Sequence, residues 1–315
     1  MMKRNWQAIS LALLGFATAL QLAQAAGEPP IHLKSDRVYK TTSEGDLHLD
    51  LYYPETELSG KYPVVIYTHG GGWARGSKKA ASARTGMSKV VRALAEKGFC
   101  VAAVDYRLYK KDGNTAIRDC VTDAKDAIRY LSKHSEKLFV DTERVFTFGD
   151  SAGGQIAQML LLSPPGSLPG AEELTGYGYT TVAGVSWYGP CDFEKTELFN
   201  HDGRPNFRDR FGPRILKPDT DPADKLRLYR EMSPVNYLTK ESPPLLMIQG
   251  NKDTTIPVHH ARYMKERAEA IGAPVEILIV ENSGHNWRKV DAPIEPALNV
   301  IIQRSVDFIA ARLSE

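Results

Sequence analysis

Val145-Phe146-Thr147-Phe148-Gly149-Asp150-Ser151-Ala152-Gly153-Gly154-Gln155-Ile156-Ala157 is the stretch from which the rest of the chain can be read. Four residues of β-forming type run into Gly-x-Ser-x-Gly, and a helix-compatible segment follows. That order describes a tight strand-to-helix turn that lifts a serine hydroxyl above the edge of a sheet. Gly149 and Gly153 suit such a turn, which is strained and brings neighbouring backbones too close for a Cβ. The helix after it aims its first amides at the serine, which favours negative charge developing there. Gly-x-Ser-x-Gly is a common combination by itself; the strand before it and the helix after it are what single out Ser151.

Working outward, the same alternation recurs. Asp46 to Tyr53 alternates Leu47, Leu49 and Leu51 with polar residues, the period of a half-exposed strand. Tyr62 to Tyr67 is a compact apolar run of the kind buried on both faces of a sheet, and it empties into His69-Gly70-Gly71-Gly72-Trp73. A helix over Met87–Lys97 is expected to end at Gly98, and Phe99 to Val104 reads as the next buried strand. Ile117, Val121, Ala124, Ile128 and Leu131 recur at helical spacing. Beyond Ser151, strands are expected at Thr181 to Trp187, Leu245 to Gln249 and Val275 to Val280, with a helix at Pro257–Ala270 and a closing helix between Ile294 and Leu313. Strands alternating with helices imply one α/β domain with a mainly parallel sheet covered on both faces. The alternation breaks between Cys191 and Pro244, where only Ala223 to Met232 reads as a helix; a lid-like insertion over about residues 191–243 is expected.

Nucleophilic chemistry from Ser151 needs a base, a group that orients the base, and donors for an oxyanion. Of the histidines downstream, His201 lies in the insertion, and His259 and His260 open a helix that also carries Arg262 and Lys265. His285 follows the last strand directly, in Glu281-Asn282-Ser283-Gly284-His285, and is the expected base. Asp253, in Gly250-Asn251-Lys252-Asp253 after the preceding strand, is the expected orienting acid, with Glu281 and Asp192 as rivals. Asp150 is expected to hydrogen-bond the surrounding loops. Ala152 N–H and the amides of Gly71 and Gly72 are the candidate oxyanion donors. Trp73 reads either as a wall of the pocket or as a core aromatic.

His69-Gly70-Gly71-Gly72-Trp73, Val104-Asp105-Tyr106-Arg107-Leu108, Gly149-Asp150-Ser151-Ala152-Gly153-Gly154, Gly250-x-x-Asp253-x-x-Ile256-Pro257 and Gly284-His285 together resemble the α/β-hydrolase superfamily. Within it they resemble the HGGG-containing esterases, which include hormone-sensitive-lipase-like carboxylesterases and bacterial secreted acetyl and feruloyl esterases. The resemblance runs over residues 40–313. It implies Ser151, Asp253 and His285 as a catalytic triad, with Gly71, Gly72 and Ala152 around the oxyanion. The N-terminal helical cap usual in that family is not evident, which places the chain nearer the acetyl-esterase branch. The expected activity is hydrolysis of short-acyl esters, with small molecules or plant polysaccharides carrying acetyl or feruloyl groups as substrates. Two alternatives stand beside it. A prolyl-oligopeptidase-like peptidase shares the core, but no propeller-length stretch precedes it here. A catalytically silent binding protein on the same fold would be expected to have lost a triad residue.

Composition frames these readings. The chain has 315 residues, 42% hydrophobic and 25% charged, as expected of a globular protein with a sizeable core. Lys3 and Arg4, the apolar run Ile9 to Leu20 and Ala23-Gln24-Ala25 read as a signal peptide over residues 1–25 cleaved after Ala25, which implies a secreted or periplasmic protein. Its removal lowers the formal charge from +2 to zero and leaves no long run of one sign, so neither nucleic acid nor stable membrane insertion is expected. Cys100, Cys120 and Cys191 lack metal-ligand spacing, so no metal and no cofactor is expected. Buried free thiols are the preferred reading of the cysteines, with a Cys100–Cys120 bridge as the alternative.

Overall fold

The computed structural model describes residues 31–54, 58–200 and 208–313; the expected signal peptide and His201 lie outside them. Among the described residues eight strands form one sheet: β1 (His32–Thr42), β2 (Gly45–Tyr53), β3 (Tyr62–Thr68), β4 (Cys100–Val104), β5 (Val140–Asp150), β6 (Thr181–Trp187), β7 (Leu245–Gly250) and β8 (Val275–Val280). They lie in the order β1-β2-β4-β3-β5-β6-β7-β8. β1 and β2 form an antiparallel hairpin at one edge, and β2 pairs antiparallel with β4. From β4 to β8 every pairing is parallel, so the carboxyl ends of β3, β5, β6, β7 and β8 emerge on one rim. Loops leaving parallel strands meet along such a rim, and that is where side chains distant in sequence can converge.

The inner parallel strands are buried on both faces because helices cover both, whereas β8, at the edge, is half-buried. One face packs against α1 (Thr85–Glu96) and the closing helix α7 (Leu298–Ala310), through Val65, Tyr67, Phe146, Phe148, Val90, Leu94, Ile301 and Phe308. The other packs against α2 (Ile117–Lys133) and α3 (Ala152–Leu162), through Val64, Ile66, Val121, Ile128, Ile156 and Leu160. α6 (His259–Ile271) covers β7 and β8 beside a third apolar cluster that includes Cys191, Leu245 and Met264. Every residue of β3, from Tyr62 to Thr68, is buried, as its unbroken apolar run implies. Cys100, Cys120 and Cys191 are all free and buried, so no Cys100–Cys120 bridge forms. Among the described residues no helix is long and apolar enough to cross a membrane.

The insertion carries more order than its sequence suggests. Besides α5 (Lys225–Glu231) it contains α4 (Arg208–Ile215), and its Phe193, Phe199 and Phe211 are packed down on the core. Phe193 and Phe211 meet Trp73 edge-on at 5.8 and 5.7 Å, and Phe199 stacks on Phe193 at 5.9 Å. Such pairs add roughly 0.5–1.5 kcal/mol each beyond burial, enough to hold the segment down without regular strands. β1 was not marked by the sequence pattern: His32 to Thr42 is mostly polar and half-exposed at the sheet edge.

His260, on α6, is fully buried and edge-on to Phe199 at 4.3 Å. Its Nδ1 accepts the Cys191 N–H at 3.3 Å, which an imidazolium could not do. Burial, and to a lesser degree the neighbouring His259, pushes its pKa down to about 3. The unfolded chain therefore binds a proton that the folded chain refuses, and stability falls as the pH drops from about 6.5 towards about 3. His260→Asn keeps an acceptor near the Nδ1 position and does not titrate. Denaturant midpoints at about pH 7 and about pH 5 should show the variant losing about 2 kcal/mol less than wild type between them; equal losses would mean that His260 does not carry this dependence.

Candidate active site

Ser151 sits between β5 and α3 at φ +55° and ψ −118°, a backbone state that a residue with a Cβ occupies only under constraint. The constraint comes from close packing. A Cβ on Gly149 would lie 2.1 Å from Gly153 O, and one on Gly153 would lie 2.0 Å from Thr68 O. Ser151 N–H donates to Trp187 O at 2.8 Å, tying the turn to the end of β6. The hydroxyl is thereby fixed above the rim of the sheet.

Ser151 Oγ lies 2.9 Å from His285 Nε2, and His285 Nδ1 lies 2.7 Å from Asp253 Oδ2. The three residues that the sequence analysis singled out are therefore brought together, each from a different loop at the same rim. Asp253 is buried, yet its carboxylate is fully engaged. Oδ1 accepts the Thr255 and Ile256 amides at 2.7 and 2.9 Å, and Oδ2 also accepts Gln249 Nε2 at 3.1 Å. With its acid partner on Nδ1, the imidazole carries its proton there and presents a bare Nε2 to the hydroxyl. Tyr188 packs edge-on against His285 at 4.8 Å and against Trp287 at 4.7 Å, which fixes the ring plane. The rivals serve elsewhere: Asp192 Oδ1 accepts the Glu194 and Lys195 amides, and Glu281 accepts from Asn251.

Asp150 does what its position suggested. Its Oδ1 accepts Tyr67 Oη–H at 2.9 Å and Gly70 N–H at 3.0 Å, and its Oδ2 pairs with Arg84. Arg84 also donates to Asn286 Oδ1 at 3.0 Å, so one guanidinium clamps the residue before Ser151 to the residue after His285. Sequence pattern offers no signal for Arg84, Tyr188 or Asn286, which act through contacts between distant loops.

The glycine loop after β3 has its peptide planes pinned one by one. His69 Nδ1 is 2.8 Å from Gly70 O, Ala74 N–H donates to Gly71 O at 3.3 Å, and Arg214 Nη1 donates to Gly72 O at 2.6 Å. In a trans peptide, fixing a carbonyl fixes the amide of the next residue on the opposite side. Gly71 and Gly72 amides are thus held by their neighbours' carbonyl bonds. His69 is buried and stacked on Tyr106 at 4.3 Å; burial pushes its pKa down, which keeps it a neutral donor. Gly71 stands at φ +131°, and a Cβ there would fall 2.0 Å from Arg75 O. Gly71, Gly72, Ser151 and His285 line one cleft of about 900 Å³. Trp73 lies at its floor, almost wholly buried, with Nε1 donating to Gln155 Oε1 at 3.1 Å; it belongs to the core and the cleft at once.

Taken together, the strand order and the hydroxyl–imidazole–carboxylate chain at the rim define an α/β hydrolase of the serine type. The chain belongs to the BD-FAE family, whose model matches residues 49–268. Among curated proteins it is similar to esterase LipC of Mycobacterium tuberculosis, 28% identical over 77% of this chain and 57% of that one. It is also similar to isoprenylcysteine alpha-carbonyl methylesterase ICME of Arabidopsis thaliana, 26% identical over 84% of this chain and 59% of that one. The chain thus spans little more than half the length of these relatives. Among solved structures, Thermogutta terrifontis esterase 2 phosphoramylated by tabun superposes with a TM-score of 0.68 at 23% identity, over 90% of this chain and 95% of that one. A truncated carbohydrate esterase from gut microbiota superposes with a TM-score of 0.71 at 20% identity, over 92% and 99%. At these identities the structural likeness establishes the fold.

Proposed function

We propose that the protein is a secreted serine carboxylic-ester hydrolase acting on short-acyl esters, with acetyl or feruloyl groups on plant polysaccharides as the favoured substrates. The observation that carries the reading is the unbroken chain Ser151 Oγ, His285, Asp253 beside the pinned glycine loop. His285 Nε2 takes the Ser151 proton as Oγ forms a bond to the ester carbonyl carbon. The tetrahedral oxyanion is met by Ala152 N–H and the Gly71 and Gly72 amides, each such donor contributing about 3–4 kcal/mol. The imidazolium, stabilised by ionised Asp253, returns its proton to the departing alcohol. Water, deprotonated by the same nitrogen, then cleaves the acyl-enzyme and regenerates Ser151.

A short acyl group is supported by the lining of the cleft, which is made of glycines and arginines around Trp73, Phe211 and Ile256 rather than a long apolar channel. Carbohydrate substrates are supported by the likeness to a carbohydrate esterase. Secretion is supported by the basic start, apolar run and Ala-x-Ala of the first 25 residues. The test is a panel of acetyl, butyryl, octanoyl and feruloyl esters with acetylated xylan. The expected order of kcat/KM places acetyl above butyryl and octanoyl lowest, by at least about 100-fold, with acetate released from the xylan. Preference for octanoyl esters would overturn the short-acyl assignment.

A further inference from the structure

The mouth of the cleft is cationic in a way the hydrolytic machinery does not use. Arg75, Arg84, Arg214 and Arg288 line it, and among the described residues the one carboxylate in the lining is that of Asp150. Asp150 is buried and spoken for by Tyr67, Gly70 and Arg84, so it presents no negative charge to an incoming molecule. Arg84 and Arg214 are engaged with Asp150 and Gly72. Arg75 and Arg288 differ from these two. Both are exposed, and among the described residues neither guanidinium has an ion pair or a hydrogen bond. Elsewhere on the surface arginines commonly have carboxylate partners, as Arg144 has Asp141, Arg227 has Asp224 and Arg304 has Glu276.

Their backbones are fixed relative to the chemistry. Arg75 follows the glycine loop, where its carbonyl abuts Gly71. Arg288 is three residues past His285; its carbonyl accepts Gly284 N–H at 2.7 Å and its amide donates to His285 O. The two cations therefore stand on the oxyanion loop and on the base loop, at the mouth of one cleft. Three buried side chains of the lining, Trp73, Phe211 and Ile256, are apolar and suit an acyl group. An ester whose acyl group sits on these residues turns its alcohol portion to the charged mouth. A guanidinium offers a planar fork matched to a carboxylate, and a cleft of one sign concentrates the opposite ion.

We infer that the site takes esters whose alcohol portion carries a carboxylate, such as an acylated sugar acid, with Arg75 and Arg288 as the residues that hold the anion. This rests on the ester-hydrolase reading above and narrows its substrate. The probe is a matched pair, 3-acetoxybenzoate and 3-acetoxybenzamide, which differ by the charge alone in nearly the same shape. Wild type is expected to favour the benzoate by about 10-fold in kcat/KM, as two exposed charge pairs allow. Arg75→Gln with Arg288→Gln should bring that ratio to about 1, with the change in KM for the benzoate, and added salt should erode the wild-type ratio through screening. A double variant that melts like wild type and keeps the wild-type ratio overturns the inference. If wild type hydrolyses neither probe nor 4-nitrophenyl acetate, the ester-hydrolase reading itself fails and takes the inference with it; hydrolysis of both probes at a ratio indifferent to the two arginines removes the inference alone.

Discussion

Ser151→Ala is expected to lower kcat for 4-nitrophenyl acetate by on the order of 10⁶-fold while leaving the fold intact. Without Oγ, the imidazole 2.9 Å away has no proton to take and the carbonyl has no protein nucleophile to meet. The residual rate above water, roughly 10³-fold, would come from the pinned amides and from binding, which the substitution leaves in place. Alanine meets the same backbone demand at φ +55° as serine does, so the turn between β5 and α3 should survive and the melting temperature should change little. Steady-state kinetics beside a thermal melt checks both statements. Activity within about 10-fold of wild type would mean that another residue supplies the nucleophile.

Asp253→Asn is expected to cost about 10⁴-fold in kcat with little change in KM, and the reason is specific to the donors around it. Oδ1 accepts two backbone amides, so an asparagine would turn its carbonyl oxygen towards Thr255 and Ile256 and its NH₂ towards His285. His285 Nδ1 must then accept instead of donate, which moves the ring proton to Nε2, where it faces Ser151 and blocks proton abstraction. The same substitution removes the charge that stabilises the imidazolium. Asp192→Asn and Glu281→Gln serve as comparisons: each should cost less than about 10-fold in kcat, because neither carboxylate reaches His285. A larger loss from either rival than from Asp253→Asn would reassign the orienting acid.

Much of this site was legible because the parallel sheet makes chain order into spatial order. Strands that alternate with helices in one direction must all end at the same rim, so Ser151 after β5, Asp253 after β7 and His285 after β8 could be expected there together. Thr181–Trp187 is readable to the residue because a largely buried parallel strand is a short apolar run bounded by polar turns, and Val275–Val280, half-buried at the sheet edge, keeps enough of that apolar run to be read as well. β1 escaped because an edge strand faces solvent and its ladder is backbone, which leaves little apolar periodicity in His32–Thr42. α4 escaped because its Pro213 and charged residues argue against a helix, and what holds it is the contact of Phe211 with Trp73 across a long sequence gap.

The same physics explains what was missing from the site. Arg84 bridging Asp150 and Asn286, and Tyr188 standing edge-on to His285, join loops that carry no shared motif. Lys125 is a further case: on an otherwise regular amphipathic helix its ammonium is buried and held by Pro164 O at 2.6 Å and Ser167 Oγ at 3.0 Å, a role that helical periodicity cannot show. Contacts of this kind come from packing, so they follow the fold instead of announcing it. Trp73 was read with two alternatives, and its floor position under the cleft joins them.

Treating the protein with a fluorophosphonate and locating the adduct by peptide mass spectrometry shows whether Ser151 is the activated hydroxyl. An activated serine is phosphonylated far faster than any other hydroxyl in the chain. One adduct is expected, on Ser151, formed rapidly in wild type and strongly slowed in His285→Ala. No adduct, or an adduct on a different residue, would contradict this assignment.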